Sequence, residues 1–399
     1  MSRHPFFSRR TDWELTPNKL ISCLKDNERS KTPVLDLTES NPTKCDFPYP
    51  QSRLLAPLAH PRNMNYSPAP QGSREAREAV GQYYERNKYS VKPQQVFLTA
   101  STSEAYSFLF RLLADYRDAI LFPRPSYPLF EFLVGLNDLQ METYPLLWDA
   151  GSHSWKIDLN ALRDAIHSRT RSIVLVNPNN PTGSFVRREE LQEINAMCRE
   201  HQLSLICDEV FLDYHFDDNA QDRISLVQNK DNLTFVLGGI SKCLALPQMK
   251  VSWVVVNGPD ELTKIAMERL EVITDTYLSV NAPAQNALKE WLSFQPSMRE
   301  AICRRLKENQ KFLIDHSRES ICGEYLHSSG GWYAIVKLPA CLTEEAWVLE
   351  FLKEDKVFVH PGYFFDFLEE PYIVISLLPP PAVFQEGIRR IFARIQAKG

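Results

Sequence analysis

Short apolar runs alternate with helical segments through the middle of the chain. One helical segment, 188–200, places Leu191, Ile194 and Cys198 on one face, and another begins near Ser103. The apolar runs between such segments have the length of buried strands, and we predict strands at 95–99, 119–122, 173–176, 203–207, 234–237 and 251–256. Strands that alternate with helices in this way favour a mainly parallel sheet covered by helices.

The pattern changes after about residue 281. A long charged helix is predicted at 297–318, and the segments after it are predicted as strands at 332–337, 357–359 and 372–377 and as helices near 343–354 and 381–397. This arrangement indicates a second, smaller α/β domain. A cleft between the two domains is the expected place for a substrate.

Composition and charge exclude several classes of protein. The 399 residues are 44% hydrophobic and 24% charged, and a net charge of −5 offers no basic surface for nucleic acid or a membrane. No apolar run approaches the ~18 residues of a membrane span, and residues 1–5 lack the apolar core of a secretory signal. Eight cysteines without a C-x-x-C pair favour reduced thiols over disulfides or a metal site. We expect a cytoplasmic protein that binds no metal, nucleic acid or membrane.

Lys242 is the strongest indication in the sequence of a chemical function. It follows the apolar run 235–237, and burying an ammonium at the end of a strand is costly. The position makes sense if the amine condenses with an aldehyde, as in the Schiff-base chemistry of pyridoxal phosphate (PLP), which also requires an acid for the pyridinium nitrogen. Asp208 ends the apolar run 203–207, and the Asn-Pro-Asn-Asn-Pro-Thr-Gly segment 177–183 follows another predicted strand.

In this chain order, the three segments resemble the class I/II aminotransferases of PLP fold type I, and the resemblance extends from about Val34 to the C-terminus. It implies an α/β fold with a large domain, built on a mainly parallel seven-stranded sheet, and a smaller C-terminal α/β domain. It further implies that residues 1–49 pack with the small domain, that 50–280 form the large PLP-binding domain and that 281–399 form the small domain. A homodimer is implied as well.

The resemblance assigns roles around the ring of the cofactor. Lys242 would hold PLP as an aldimine, Asp208 would pair with the ring nitrogen, Asn180 would hydrogen-bond the phenolic oxygen and Tyr127 would stack on the ring. Simpler interpretations are a helix N-cap for Asp208, a plain turn for Asn180 and packing for Tyr127. The spacing of Asp208 from Lys242, and the position of Asn180 directly after a strand, favour the functional interpretation.

A second group of residues would hold the cofactor through its phosphate. The turn at 101–103 follows a strand and opens a helix, where free N–H groups and the helix dipole favour an anion, although an N-cap would look the same. The resemblance assigns cofactor contacts to Ser101, Thr102, Ser103, Ser241, Lys250 and, from the neighbouring subunit, Tyr66. Lys250 stands where an arginine is usual and supplies charge without the bidentate fork. For Tyr66, an ordinary surface tyrosine is the alternative.

Several positions near the cofactor depart from the family pattern. Phe211 replaces a tyrosine that donates to the phenolic oxygen, and losing that donor should raise the pKa of the aldimine. Gly239 replaces a serine that helps hold the phosphate, and Ser40 replaces a glycine that lets the backbone approach the substrate.

The most consequential departure is Val374. The family places an arginine there to clamp the α-carboxylate of the substrate bidentately. Candidate replacements are Arg53, Arg62, Arg124 and Lys44.

The predicted function is a PLP-dependent aminotransferase acting on an amine or amino acid and an oxo acid, with an atypical substrate because of Val374. The alternatives are another PLP reaction on the same fold, such as a lyase, decarboxylase or cyclase, or a PLP-binding regulator without catalysis. Because Lys242, Asp208 and Asn180 are all retained, the regulator is the weaker alternative.

Overall fold

The structure is a computed structural model. It describes residues 6–16, 18–29, 32–216, 224–278, 280–320, 322–369 and 371–398. Residues 1–5, on which the argument against a secretory signal rests, lie outside the described residues. None of the helices in these described ranges is both long and apolar enough to cross a membrane.

The described strands and helices follow one another in the order expected for two α/β units. The strands are β1 (Leu35–Asp36), β2 (Val96–Thr99), β3 (Ala119–Arg124), β4 (Gln140–Asp149), β5 (Ser154–Ile157), β6 (Thr170–Val176), β7 (Ser204–Asp208), β8 (Thr234–Gly239), β9 (Ser252–Asn257), β10 (Glu324–Leu326), β11 (Tyr333–Lys337), β12 (Val357–Phe358), β13 (His360–Pro361) and β14 (Tyr372–Ser376). The α-helices are α1 (Lys19–Arg29), α2 (Gln51–Leu55), α3 (Arg74–Arg86), α4 (Thr102–Leu113), α5 (Phe130–Leu136), α6 (Leu159–Asp164), α7 (Arg188–His201), α8 (Ile240–Cys243), α9 (Asp260–Tyr277), α10 (Ala282–Ser293), α11 (Gln295–Glu319), α12 (Glu344–Lys353) and α13 (Pro381–Lys398).

The large sheet confirms the predicted α/β fold and corrects its strand count. Its order is β2-β9-β8-β7-β6-β3-β4-β5, with β8, β7, β6, β3 and β4 mutually parallel and β9 antiparallel to its neighbours. All six strands predicted for this region are present. The expectation of seven strands was wrong because β4 continues past its pairing with β3 and folds back onto β5, with Trp148 opposite Trp155. This hairpin adds an eighth strand at one edge.

Both faces of the large sheet are covered. Leu121 and Phe122 are neighbours in β3 and point to opposite faces, as successive strand residues do. Phe122 packs in the same cluster as Leu109 of α4, whereas Leu121 belongs to the cluster that contains Ile194 of α7. Burial on both faces explains why these strands appear in the sequence as continuous apolar runs rather than as alternating patterns.

A smaller sheet with the order β10-β11-β14-β13 lies in the C-terminal part of the chain, and helix α11 packs along α13 beside it. The N-terminal segment reaches this region, because β1 pairs in parallel with β12 through Leu35 and Val357. Helix α1 also contacts α12. The division at 49/50 and 280/281 stays a prediction.

Candidate active site

Polar groups from four separate segments follow strands that end at one edge of the large sheet. In the parallel ladders, Val176 of β6 pairs with Asp208 of β7, and Asp208 pairs with Leu237 of β8. The carboxyl ends of such strands are where open α/β sheets bind ligands. We call this region the Lys242 edge and define it by Ser101, Asn180, Asp208 and Lys242.

Asp208 is a buried carboxylate held by two donors. The backbone N–H of Val210 donates to its Oδ1 at 3.1 Å, and the hydroxyl of Tyr106 donates to its Oδ2 at 3.2 Å. Burial raises the pKa of Asp208 to about 6, while these two hydrogen bonds and the charge of Lys242 act in the opposite direction. The side chain is therefore a fixed acid, oriented by its neighbours and ready to pair with a cation.

Lys242 lies in the single turn of α8 that follows β8. Burial lowers the pKa of its amine to about 8, and the charge of Asp208 acts against that shift. Its Nζ lies 4.8 Å from the ring centroid of Trp332 and 5.4 Å from that of Phe211, and the hydroxyl of Tyr214 donates to its backbone carbonyl at 2.5 Å. An amine in this environment loses its proton close to neutral pH and can act as a nucleophile or a base.

The turn that carries Asn180 is fixed by its neighbour. Asn179 Oδ1 accepts hydrogen bonds from the backbone N–H of Thr182 at 3.2 Å and from its hydroxyl at 2.9 Å. Gly183 has a φ of +68°, and a Cβ there would lie 2.3 Å from the carbonyl oxygen of Gly330, so only glycine fits. Asn180 is thereby held in place, and its buried Oδ1 has no hydrogen-bond partner among the described residues.

The 101–103 turn is a helix N-terminus that is capped by Ser101. Ser101 Oγ accepts from the N–H of Glu104 at 3.1 Å, and the Glu104 carboxylate accepts from the N–H of Ala100 at 2.7 Å. The N-cap interpretation is therefore correct for the Ser101 hydroxyl. It does not exclude anion binding, because the N–H groups of Thr102 and Ser103, at the first two helical positions, have no intrahelical partner.

The remaining residues predicted to contact the cofactor differ in their exposure and in their position relative to Lys242. Tyr127 is partly exposed, and burial followed by the charge of Asp208 raises the pKa of its hydroxyl, so it lies on the Asp208 side of the site. Ser241 directly precedes Lys242 and is half-buried. Lys250 is exposed in a left-handed conformation with a φ of 53°, and Tyr66 is 79% exposed. The ring-side residues are thus brought together, whereas Tyr66 stays at the surface of this single chain.

Val374 lies on a sheet face that carries no formal charge of its own. It is fully buried and pairs with Ile335 of β11 on one side and with His360 of β13 on the other. Tyr333 is two residues before Ile335 and so points to the same side. We call Tyr333, His360 and Val374 the Val374 face.

One observation connects this face to the Lys242 edge, and a second shows that its histidine is uncharged. The pKa of the Tyr333 hydroxyl is raised by burial, against a hydrogen bond with Ser40, and is raised further by Tyr127 and Glu39. Burial lowers the pKa of His360 to about 4, against the nearby charge of Asp36, and its Nδ1 has no hydrogen-bond partner among the described residues. The imidazole is therefore neutral at physiological pH.

The four candidate substitutes for the missing arginine are already paired with carboxylates. Their N···O distances are 2.7 Å for Arg53–Glu290, 3.0 Å for Arg62–Glu75, 2.8 Å for Arg124–Asp366 and 3.5 Å for Lys44–Glu39. A cation that is already paired is a weaker anchor for a second carboxylate than a free one.

The sequence analysis missed three side chains of the site. Tyr106 binds Asp208, Glu104 accepts from the N–H of Ala100 before the helix, and Trp332 covers Lys242 with an indole N–H that has no partner among the described residues. The Ser-x-x-Glu spacing at this helix N-terminus was readable from the sequence. The contacts of Tyr106 and Trp332 join segments far apart in the chain, and no local pattern indicates them.

The residues at the Lys242 edge fit PLP. They combine a buried acid for a ring nitrogen, a buried amine for an aldehyde, free backbone N–H groups for a phosphate, and a buried Asn180 amide whose N–H groups can donate to a phenolic oxygen. When bound, PLP supplies an electron sink for breaking a bond to the Cα of a substrate.

Comparison with known proteins agrees with this chemistry. The model of the family "Aminotransferase class I and II" matches residues 32–391. The glutamate-pyruvate aminotransferase AlaA of Escherichia coli is 30% identical over 360 residues, which cover 88% of this chain and 88% of that protein. The alanine aminotransferase of Mycobacterium tuberculosis is 27% identical over 369 residues, covering 90% of this chain and 84% of that protein.

Solved structures share the fold. An aminotransferase from Escherichia coli superimposes with a TM-score of 0.83 at 27% identity, over 95% of both chains. The alanine aminotransferase from Pyrococcus furiosus superimposes with a TM-score of 0.88 at 24% identity, over 98% of this chain and 100% of that chain. The chain therefore belongs to the class I and II aminotransferases, and it is a PLP-dependent transferase that moves an amino group between amino-acid and oxo-acid substrates.

Proposed function

We propose that this aminotransferase acts on an amino donor that presents an uncharged group to the Val374 face, and passes the amino group to an oxo acid. The observation that carries the proposal is that Val374, the neutral His360 and Tyr333 form this face, while the four candidate cations are paired elsewhere. A carboxylate placed against such a face would lose water without gaining a charged partner, which costs binding energy.

Lys242 is proposed to hold the cofactor and to move the proton during amino transfer. Its Nζ has a pKa of about 8, so a large fraction can exchange a proton near neutral pH, which is the range a general base requires. The rings of Trp332 and Phe211 confine the amine and exclude water from it.

Asp208 is proposed to keep the ring nitrogen of the cofactor protonated. The N–H of Val210 and the hydroxyl of Tyr106 fix its two oxygens, so the carboxylate needs no rearrangement when it meets a cation. Asn180 would donate to the phenolic oxygen and Tyr127 would flank the ring. The N–H groups of Thr102 and Ser103, with the side chains of Ser241 and Lys250, would hold the phosphate.

Phe211 changes one part of this arrangement. It offers no hydroxyl to the phenolic oxygen, which leaves Asn180 as the predicted donor there. The aromatic pair of Phe211 and Trp332, 5.3 Å apart, instead packs around the amine of Lys242. We propose that this pair keeps the lysine in a drier environment than a tyrosine would.

We further propose a cytoplasmic homodimer. Tyr66 and Met64 are 79% and 87% exposed, and they lie in a segment that the family resemblance brings to the site of a neighbouring subunit. In the dimer, the Tyr66 hydroxyl would reach the partner's cofactor phosphate. Mixing an inactive Tyr66→Phe variant with an inactive Lys242→Ala variant would regenerate activity through hybrid dimers, and an active monomer in sedimentation would contradict the proposal.

The substrate proposal is tested by steady-state kinetics with common amino acids. The related proteins are named for glutamate, pyruvate and alanine, and we expect this enzyme to saturate weakly with glutamate, alanine and aspartate as donors. A panel of amines without an α-carboxylate, each followed through the absorbance of the bound cofactor so that no oxo acid is needed, should contain the better donors. Robust turnover of glutamate or alanine with ordinary millimolar saturation would reject the proposal and restore a conventional α-amino-acid site.

A further inference from the structure

Ser252 carries a hydroxyl for which the site described so far has no use. It begins β9, the strand between β2 and β8, and it pairs with Thr99 on one side and with Gly239 on the other. The residue is 1% exposed, and its Oγ makes no hydrogen bond to another described residue. A hydroxyl that has no partner in the described part of the chain is available to donate to a ligand.

The hydroxyl occupies the place of a side chain that Gly239 lacks. A Cβ atom built on Gly239 would lie 2.4 Å from Ser252 Oγ, far inside contact distance. Because directly opposed residues of an antiparallel pair project from the same face of a sheet, the Ser252 hydroxyl points where a residue at 239 would point. Gly239 is three residues before Lys242 and ends β8.

The sheet face that carries the Ser252 hydroxyl lies next to the N-terminus of α4. Thr99, the other partner of Ser252, points to this face too, and its hydroxyl donates to the carbonyl of Ser101 at 3.0 Å. Ser101 opens α4, where the N–H groups of Thr102 and Ser103 have no intrahelical partner. The Ser252 hydroxyl therefore lies between the turn that presents these N–H groups and the turn that carries Lys242.

We propose that Ser252 donates a hydrogen bond to the phosphate of PLP, and that it supplies from β9 the hydroxyl that Gly239 does not supply from β8. The inference rests on the PLP cofactor and is independent of the substrate proposed above. It also explains why the unusual pair, glycine at 239 and serine at 252, occurs at directly paired positions: a side chain at 239 would collide with the hydroxyl at 252.

The test is the affinity of the apoenzyme for PLP and for pyridoxal, which lacks the phosphate, measured by absorbance titration. Ser252→Ala should weaken PLP binding by roughly tenfold or more, because a hydrogen bond to a charged group is lost. Pyridoxal binding should be unchanged. The matched control is Ser172→Ala, which removes a fully buried hydroxyl from β6 of the same sheet and should leave the affinity for both compounds unchanged.

A double variant makes the test specific for the position of the hydroxyl. Gly239→Ser combined with Ser252→Gly moves the hydroxyl across the ladder, and it should restore PLP affinity to within about threefold of the wild type. If Ser252→Ala does not fold, as judged by circular dichroism, the near-isosteric Ser252→Cys replaces it and should show the same selective loss. Unchanged PLP affinity in these single variants, or equal losses for PLP and pyridoxal, would overturn the proposal.

Discussion

The Lys242 edge and the Val374 face differ in the charge of their buried side chains. At the Lys242 edge, a buried acid and a buried amine have pKa values of about 6 and about 8, and each is oriented by hydrogen bonds or aromatic rings. At the Val374 face, a buried valine lies beside a histidine whose pKa of about 4 leaves it uncharged. The Lys242 edge therefore contains two ionisable side chains, whereas the side chains of the Val374 face are uncharged.

This difference separates the reaction from the substrate. The residues of the Lys242 edge are proposed to act on any amino donor that reaches the cofactor, so they would determine the reaction class. The Val374 face is proposed to meet the part of the donor that carries the α-carboxylate in an amino acid, so it would determine the preference between amino acids and amines. Variants at the Lys242 edge should therefore change the rate for every substrate, whereas variants at Val374 should change the ranking of substrates.

The largest expected effect is the loss of Lys242. Lys242→Ala removes the proposed covalent anchor and proton-transfer group, and turnover should fall by at least about 100- to 10,000-fold for every donor. Borohydride reduction of the wild type, followed by peptide mapping, should place the cofactor on the peptide that contains Lys242. A label on Lys250 or on any other lysine would contradict the site assignment.

Asp208→Asn is the next largest perturbation. It keeps the shape of the side chain but removes the charge that holds the ring nitrogen protonated, and single-turnover rates should fall by about 100- to 1,000-fold. The matched control is Glu209→Gln, a neighbouring buried carboxylate that binds Ser225 and the N–H of Leu226 away from the cofactor. If both variants lose the same small factor, Asp208 has no special role.

The buried ammonium of Lys242 predicts a pH-dependent stability of the apoprotein. Because its pKa is about 8 in the fold and about 10.5 when unfolded, the folded state releases its proton first as the pH rises between these values. The buried charge thus destabilises the fold by roughly 3 kcal/mol below pH 8, and this penalty disappears towards pH 10.5.

Lys242→Met should therefore be more stable than the wild-type apoprotein at pH 7, with a difference that shrinks as the pH rises to 10. Urea unfolding at the two pH values measures it. The exposed Lys289→Met, in α10, serves as the control for removing a charge outside the site. A Lys242→Met variant that is less stable than the wild type at pH 7 would show that the ammonium is well compensated in the fold.

Some strands of the fold, including those that lead to the Lys242 edge, could be predicted from the sequence, whereas others could not. The strands ending at Asp208 and Gly239 are continuous apolar runs because both sheet faces are buried, and such runs are visible without a structure. The hairpin of β4 and β5 was missed because its residues are only partly buried and carry a mixed pattern. That hairpin accounts for the difference between seven and eight strands.

Contacts between segments that are far apart in the chain could not be predicted from local sequence patterns. Tyr106 meets Asp208 across 102 positions, and Arg53 is paired with Glu290 across 237. The register that sets Gly239 against Ser252 likewise depends on how two strands align, although each residue is plain in the sequence. Residue identity could be read in advance, whereas the pairing of residues required the folded chain.

Val374→Arg tests most directly the proposal that the Val374 face does not bind a carboxylate. For matched pairs such as phenylalanine and 2-phenylethylamine, the first half-reaction can be followed by the absorbance of the bound cofactor without any oxo acid. The preference of the wild type for the amino acid over the amine should be close to or below one. Val374→Arg should raise this ratio at least about tenfold because a charge-assisted pair is gained.

Val374→Gln, of similar length but without charge, controls for the change in shape. Only the arginine variant should shift the ratio towards the amino acid. A wild-type enzyme that strongly prefers the amino acid, with a ratio that Val374→Arg does not raise, would show that another cation already binds the carboxylate and that the Val374 face does not select the donor.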